Sequence, residues 1–263
     1  NTLRIWSHDN FGEDLLINVS NGGIYYWDKT GGFTTRAVSL DSLAGSTKAP
    51  TIAKQILVSD RDRHIIAFGC DPEANAGVQD PLVIRFSSQE SLTDWESTAT
   101  NTAGELRLGS GSEIVTAVET RQQILVYTDE SLYAMQFLGP PFTFGVNLVS
   151  ENITTMGPLS AVAVEDNVFW MGLKEFYVYG GTVQRLPCSV RDFVFDDFNL
   201  LQREKVVAAT NTAFSEVWWF YPSAESDTND RYVVYNYEQQ VWYYGALARS
   251  YWMDRGIFDN PIA

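Results

Sequence analysis

The feature that most constrains this chain is an apolar run that returns about every fifty residues. Strong strand-forming runs begin near Leu15 (LLINV), Ile65 (IIAFG), Ile124 (ILVYT), Val168 (VFWMG) and Val217 (VWWFY), at spacings of 50, 59, 44 and 49 residues. They are rich in β-branched and aromatic side chains, which suit a pleated, half-buried surface. Each is followed by a turn and a partner run, at residues 24–27, 82–86, 132–137, 176–179 and 232–237. From the second unit onward another run comes first, at 52–58, 114–118, 159–164 and 206–209; the first unit shows no such leading strand. The clearest outer strands are 142–149 and 241–247.

Strand, hairpin, strand, hairpin at a period near ~40–50 residues is the pattern of four-stranded propeller blades. The expected fold is therefore all-β: a β-propeller of about five or six blades of antiparallel strands. It would form one propeller-type domain over residues 1–263, either complete or part of a longer protein. A β-sandwich, which also uses many short strands, is the alternative. Helical periodicity is nearly absent, and residues 196–205, with Asp196 as cap, form the best helix candidate. A clasp between residues 3–6 and a strand near 251–258 would join the chain ends.

Few residues suit catalysis. His8 and His64 stand 56 positions apart and are expected at the surface or in turns, so a triad or a His-rich metal site is hard to assemble. The acidic pairs Glu13/Asp14, Asp60/Asp62 and Asp196/Asp197 lie in polar turns. Two carboxylates across a cleft could hydrolyse a glycoside, but adjacency in sequence does not make them face one substrate, and solvated turns are the expectation. No catalytic, cofactor-binding or metal-ligating set emerges, so an enzyme is not expected. Cys70 and Cys188 read as separate free thiols. The aromatic clusters at 217–221 and 241–244 read as core, because strand alternation buries one face.

Charge narrows the partners. Thirty-three acidic residues against 18 basic ones leave a net charge of −15, which opposes stable binding to a phosphate backbone. Such a surface serves solubility, or lets a polyanion slide past without sticking. No apolar run reaches the ~20 residues that cross a bilayer.

Several segments resemble the nozzle proteins (tail tubular B, or DNA-stabilisation, class) of short-tailed bacteriophages. They are the stretch from Trp6-Ser7-His8-Asp9-Asn10-Phe11 through Leu16, with Gly23 to Asp28, and the stretch from Ile84-Arg85-Phe86-Ser87 to Asp94-Trp95, with Gly104 and Leu106 beyond. The runs Ile124 to Asp129, Ser131 to Tyr133, Val168 to Gly172 and Phe176 to Tyr179 follow, then Trp252-Met253-Asp254-Arg255-Gly256-Ile257-Phe258. The resemblance implies a propeller-bearing structural virion protein in a ring, a homohexamer that retains the genome and conducts DNA on ejection. It further implies contacts with other tail subunits, such as adaptor and tail fibres, a place in the virion tail after assembly in the host cytoplasm, and no cofactor. Channel-facing acids would then come from Glu13, Asp14, Asp60, Asp62, Asp196 and Asp197. The competing expectation is a carbohydrate-binding or glycoside-hydrolysing propeller acting on host polysaccharide.

Overall fold

Alternation along the strands sets the architecture, because successive side chains point to opposite faces of a sheet. The computed structural model describes residues 3–256 and 258–263. It contains five four-stranded antiparallel sheets, each a meander of strands consecutive in sequence. The chain divides into two compact units, residues 1–151 and 152–263.

Unit 1 holds three sheets. The first comprises β1 (Trp6–Phe11), β2 (Asp14–Val19), β3 (Ile24–Trp27) and β4 (Val38–Ser39). The second comprises β5 (Gln55–Val58), β6 (Ile65–Phe68), β7 (Val83–Phe86) and β8 (Gly104–Arg107). The third comprises β9 (Ile114–Glu119), β10 (Ile124–Thr128), β11 (Ser131–Gly139) and β12 (Thr143–Glu151). The middle sheet is buried on both faces. Ile56, Val58, Ile65, Ala67 and Val83 pack with Leu16, Ile24 and Leu40 of the first sheet side. Leu57, Ile66, Phe68, Ile84 and Phe86 pack with Ile114, Ile124, Val126 and Met135 of the third. That double burial explains the unbroken apolar run of β6, where a half-exposed strand would alternate.

Neighbouring first strands are joined by side chains that imitate a ladder. Ser7 Oγ accepts from Ile56 N at 3.1 Å and Asp9 Oδ2 from Val58 N at 2.8 Å, so β1 serves the edge of β5. Gln55 does the same for β9: Oε1 accepts from Ala117 N at 2.8 Å while Nε2 donates to Ala117 O at 2.8 Å. Edge amides that would otherwise be buried unpaired are thereby satisfied.

Unit 2 holds two sheets: β13 (Ala161–Val164), β14 (Asn167–Met171), β15 (Phe176–Tyr179) and β16 (Val183–Leu186), then β17 (Val207–Asn211), β18 (Glu216–Tyr221), β19 (Arg231–Asn236) and β20 (Val241–Ala246). Phe169, Met171 and Phe176 of one sheet meet Val217, Trp219, Tyr221, Val233 and Tyr235 of the other. The opposite face of β18 and β19, with Trp218 and Phe220, is covered by Trp252, which stacks on Trp218 at 5.4 Å between ring centroids. No helix among the described residues is long and apolar enough to cross a membrane.

Several expectations need correction. The first sheet does have a leading strand, β1, whose polar Ser7 and Asp9 hid it from an apolar pattern. The helix is α1 (Arg191–Asp196), so Asp196 ends a helix instead of starting one. Residues 200–205 form a 3-10 segment whose cap is Asn199, accepting from Leu201 N at 3.1 Å. Of the residues expected in a terminal clasp, Trp6 pairs with Val19 within the first sheet, and Met253 bridges Ile262. Ile257, within that expected clasp, lies outside the described residues. The 241–244 cluster is core only at Trp242, which packs on Phe176 and Trp219, while Val241, Tyr243 and Tyr244 are exposed on an edge strand.

Candidate functional site

The hairpin ends of the first strands in unit 1 gather carboxylates. Parallel alignment of β1 with β5, and the Gln55 bridge to β9, bring the β1–β2, β5–β6 and β9–β10 turns to one end. Arg63, in the second of these turns, stands over the Phe11 ring at 5.6 Å. Asp60 N donates to Glu119 Oε1 at 3.0 Å. Asp9, Asp60, Asp62 and Glu119 therefore lie close enough to feel one another.

Their environment disfavours charge. Glu119 is half-buried, and desolvation, reinforced by the charges of Asp60, Asp9 and Asp62, pushes its carboxyl up to about 7. Desolvation also raises Asp9, against the lowering hydrogen bonds from Val58 and Asn10 amides. Beside Glu119 runs a cleft lined by Ser59, Arg61, Asp62, Arg121 and the apolar Met135 and Phe144. Its cavity is about 20 Å³, room for roughly one water and far below the roughly 300 Å³ of the smallest ligand pockets.

Sequence reasoning found Asp60 and Asp62 but missed Asp9 and Glu119. Both are isolated acids at the ends of strands, and only the packing of three sheets makes them neighbours. Of the other sequence-predicted acids, Glu13, Asp14 and Asp197 have partners of their own. Glu13 pairs with Lys29 Nζ at 2.5 Å, and Asp14 accepts from Tyr26 Oη at 2.6 Å and Lys29 N at 3.0 Å. In unit 2, Asp196 is exposed, while Asp197 accepts from Ala224 N at 3.2 Å and lies 3.7 Å from Arg231 Nε. Among the described residues no group of three or more His, Cys, Asp or Glu could hold a metal ion.

His64 lies in the β5–β6 turn, in keeping with the expectation of a turn or surface position, yet it is not exposed. It is fully buried, its Nδ1 lies 2.7 Å from Ser87 O, and its ring sits against Phe86, Phe137 and Phe144. Burial lowers its pKa, so the ring is held neutral. Cys70 and Cys188 are free, as expected; Cys70 is buried and Cys188 partly so.

The Arg85-to-Trp95 segment folds as a clamp. Arg85 is 2% exposed, and its Nη2 donates to Lys48 O at 2.6 Å and to Trp95 O at 3.1 Å. Gly104, opposite Phe86 in β8, is there for space: a Cβ would lie 2.6 Å from the Phe86 ring.

These features define an all-β protein of propeller type. No known family matches the chain, and no curated protein matches it. Among solved structures it is similar to a protein described as the extracellular domain of a one component system from B. thetaiotaomicron, with a TM-score of 0.54 and 10% sequence identity. That likeness covers 93% of this chain and 28% of the other, so the chain spans little more than a quarter of that protein's length. At such identity it speaks for the fold alone.

Proposed function

We propose that this chain is a structural subunit of a bacteriophage tail nozzle, one copy in a ring, a homohexamer, that retains the genome and conducts it on ejection. The observation that carries the reading is the set of nozzle-like segments, which lie in four of the five sheets and in the stretch after β20. Net charge of −15 supports it, because a conduit for DNA works best when its wall repels phosphate. The acids at Glu13, Asp14, Asp60, Asp62, Asp196 and Asp197 contribute to that wall. Other tail subunits, such as adaptor and tail fibres, flank the ring in the virion tail, and DNA passes without sequence-specific binding. No catalytic step is assigned.

The competing reading is a propeller that binds or hydrolyses host polysaccharide. Glu119 has the environment of a general acid, but the cleft beside it is too small for a sugar ring. Negative-stain microscopy separates the two: six-fold rings with a central channel are the expected result. Monomers by size-exclusion chromatography with light scattering, together with glycan binding, would overturn the nozzle reading.

A further inference from the structure

β20 (Val241–Ala246) ends the last sheet of unit 2 and pairs on one side only, with β19. Leu247 N donates to Asp230 O, one step beyond that ladder and in register with it. Antiparallel pairing alternates, so residues 241, 243 and 245 spend their amides on β19, while Trp242, Tyr244 and Ala246 turn theirs outward. The chain beyond runs to the opposite edge of the sheet, where Asp254 Oδ2 accepts from Thr212 N at 2.9 Å, just after β17. Exposed edges are usually guarded by charge. β8 follows that rule with Glu105 and Arg107, and β16 with Arg185. β20 breaks it. From Gln239 to Ala248 there is no charged residue, in a chain of net charge −15, and Val241, Tyr243 and Tyr244 are exposed.

We infer that β20 is a self-pairing edge, whose occupant is β20 of a second copy laid antiparallel about a two-fold axis at Tyr244. The partner must be an extended strand, because only a backbone answers a row of outward amides and carbonyls. Charge favours a copy of the same stretch: most surfaces of an acidic chain repel their own copy, and this one does not. Register favours it too. Outward groups must face outward groups, and centring on Tyr244 pairs the whole stretch from 241 to 247. Trp242 then faces Ala246, Tyr243 faces Gly245 and Val241 faces Leu247, so both large rings off the axis meet a small residue. Gly245 is bare for a reason within the chain, since an added Cβ would lie 2.5 Å from Tyr232 Oη. The pairing makes about six main-chain hydrogen bonds. It is isologous, a symmetry that a one-way ring does not use for its own closure. It is therefore independent of the nozzle reading and joins two chains whether or not each also sits in a ring.

Size-exclusion chromatography with light scattering, over a range of concentrations, tests it on the wild type, Tyr244→Lys and Tyr244→Glu. The wild type should double its mass as concentration rises. Either variant alone sets like charges opposite each other at the axis and should pair about tenfold more weakly. An equal mixture of the two sets opposite charges there and should recover the pairing. Amide exchange reads the register: Trp242, Tyr244 and Ala246 should be protected in the paired wild type and exchange faster in either variant, while Tyr243 and Gly245 stay protected in all. A wild type that never pairs, variants that pair as tightly as the wild type, or a mixture no tighter than its components would overturn the self-pairing edge. Six-fold rings of the same mass in wild type and variants would also overturn it, and would leave the nozzle reading standing. Should neither variant fold, Ala246→Lys, at an exposed position opposite Trp242, should weaken the pairing in the same way; an unchanged mass counts against the proposal.

Discussion

Arg85 donates to the main-chain oxygen of Trp95 at 3.1 Å, and both side chains are sealed from solvent. A guanidinium with 2% exposure is costly to bury unless its donors are used. Here they gather Lys48 O, Trp95 O and, at 3.5 Å, Asp71 O, pinning three loops onto β7. Arg85→Met should therefore lower unfolding free energy by about 3 kcal/mol. Arg85→Lys should recover little of it, because one ammonium lacks the planar fork. Urea unfolding followed by tryptophan fluorescence measures both.

Gln55 joins two sheets through both ends of its amide. Gln55→Ala removes the acceptor for Ala117 N and the donor to Ala117 O together. The expected cost is about 2 kcal/mol, with faster amide exchange at Ala117. An exchange rate equal to the wild type would contradict this joint.

His64 should make the fold acid-sensitive. Its pKa is lowered by burial, so the unfolded chain takes up the proton first as pH falls below about 6.5. Stability from this site is present above that value and is lost below it, opposite in sign to Glu119. His64→Phe fills the same Phe-lined space without titrating. Thermal midpoints from pH 7.5 to 5 should show the variant gaining on the wild type as pH falls.

Trp252 closes one face of unit 2. Its ring stacks on Trp218 and meets Phe220 at a tilt, and its Nε1 donates to Thr210 O at 2.9 Å. Trp252→Ala should cost about 3 kcal/mol and speed proteolysis of residues 251–263. Trp252→Phe retains the stacking and should cost about 1 kcal/mol, the worth of the lost hydrogen bond.

Local pattern made much of the fold legible. The five apolar runs became β2, β6, β10, β14 and β18, the second strand of each sheet, because those strands are covered on one or both faces and must be apolar. First and outer strands were harder to see. β1 hides behind Ser7, His8 and Asp9, and β4 is two residues long. β8 and β16 carry charges at an edge, where polar residues guard against stray pairing. The burial of His64 within its turn was not legible, because a lone histidine gives no signal of the three phenylalanines that enclose it.

The candidate site was legible only in part. Asp60 and Asp62 stand out as acids in a turn, but nothing near Asp9 or Glu119 in the chain marks them as their neighbours. By itself the sequence determined strand content, the fifty-residue repeat and the acidic balance, since these depend on residue type and short-range period. Only the tertiary structure decided which acids share a corner and which carry a proton near neutrality. Both depend on burial and on charges more than fifty residues away, which no local pattern encodes.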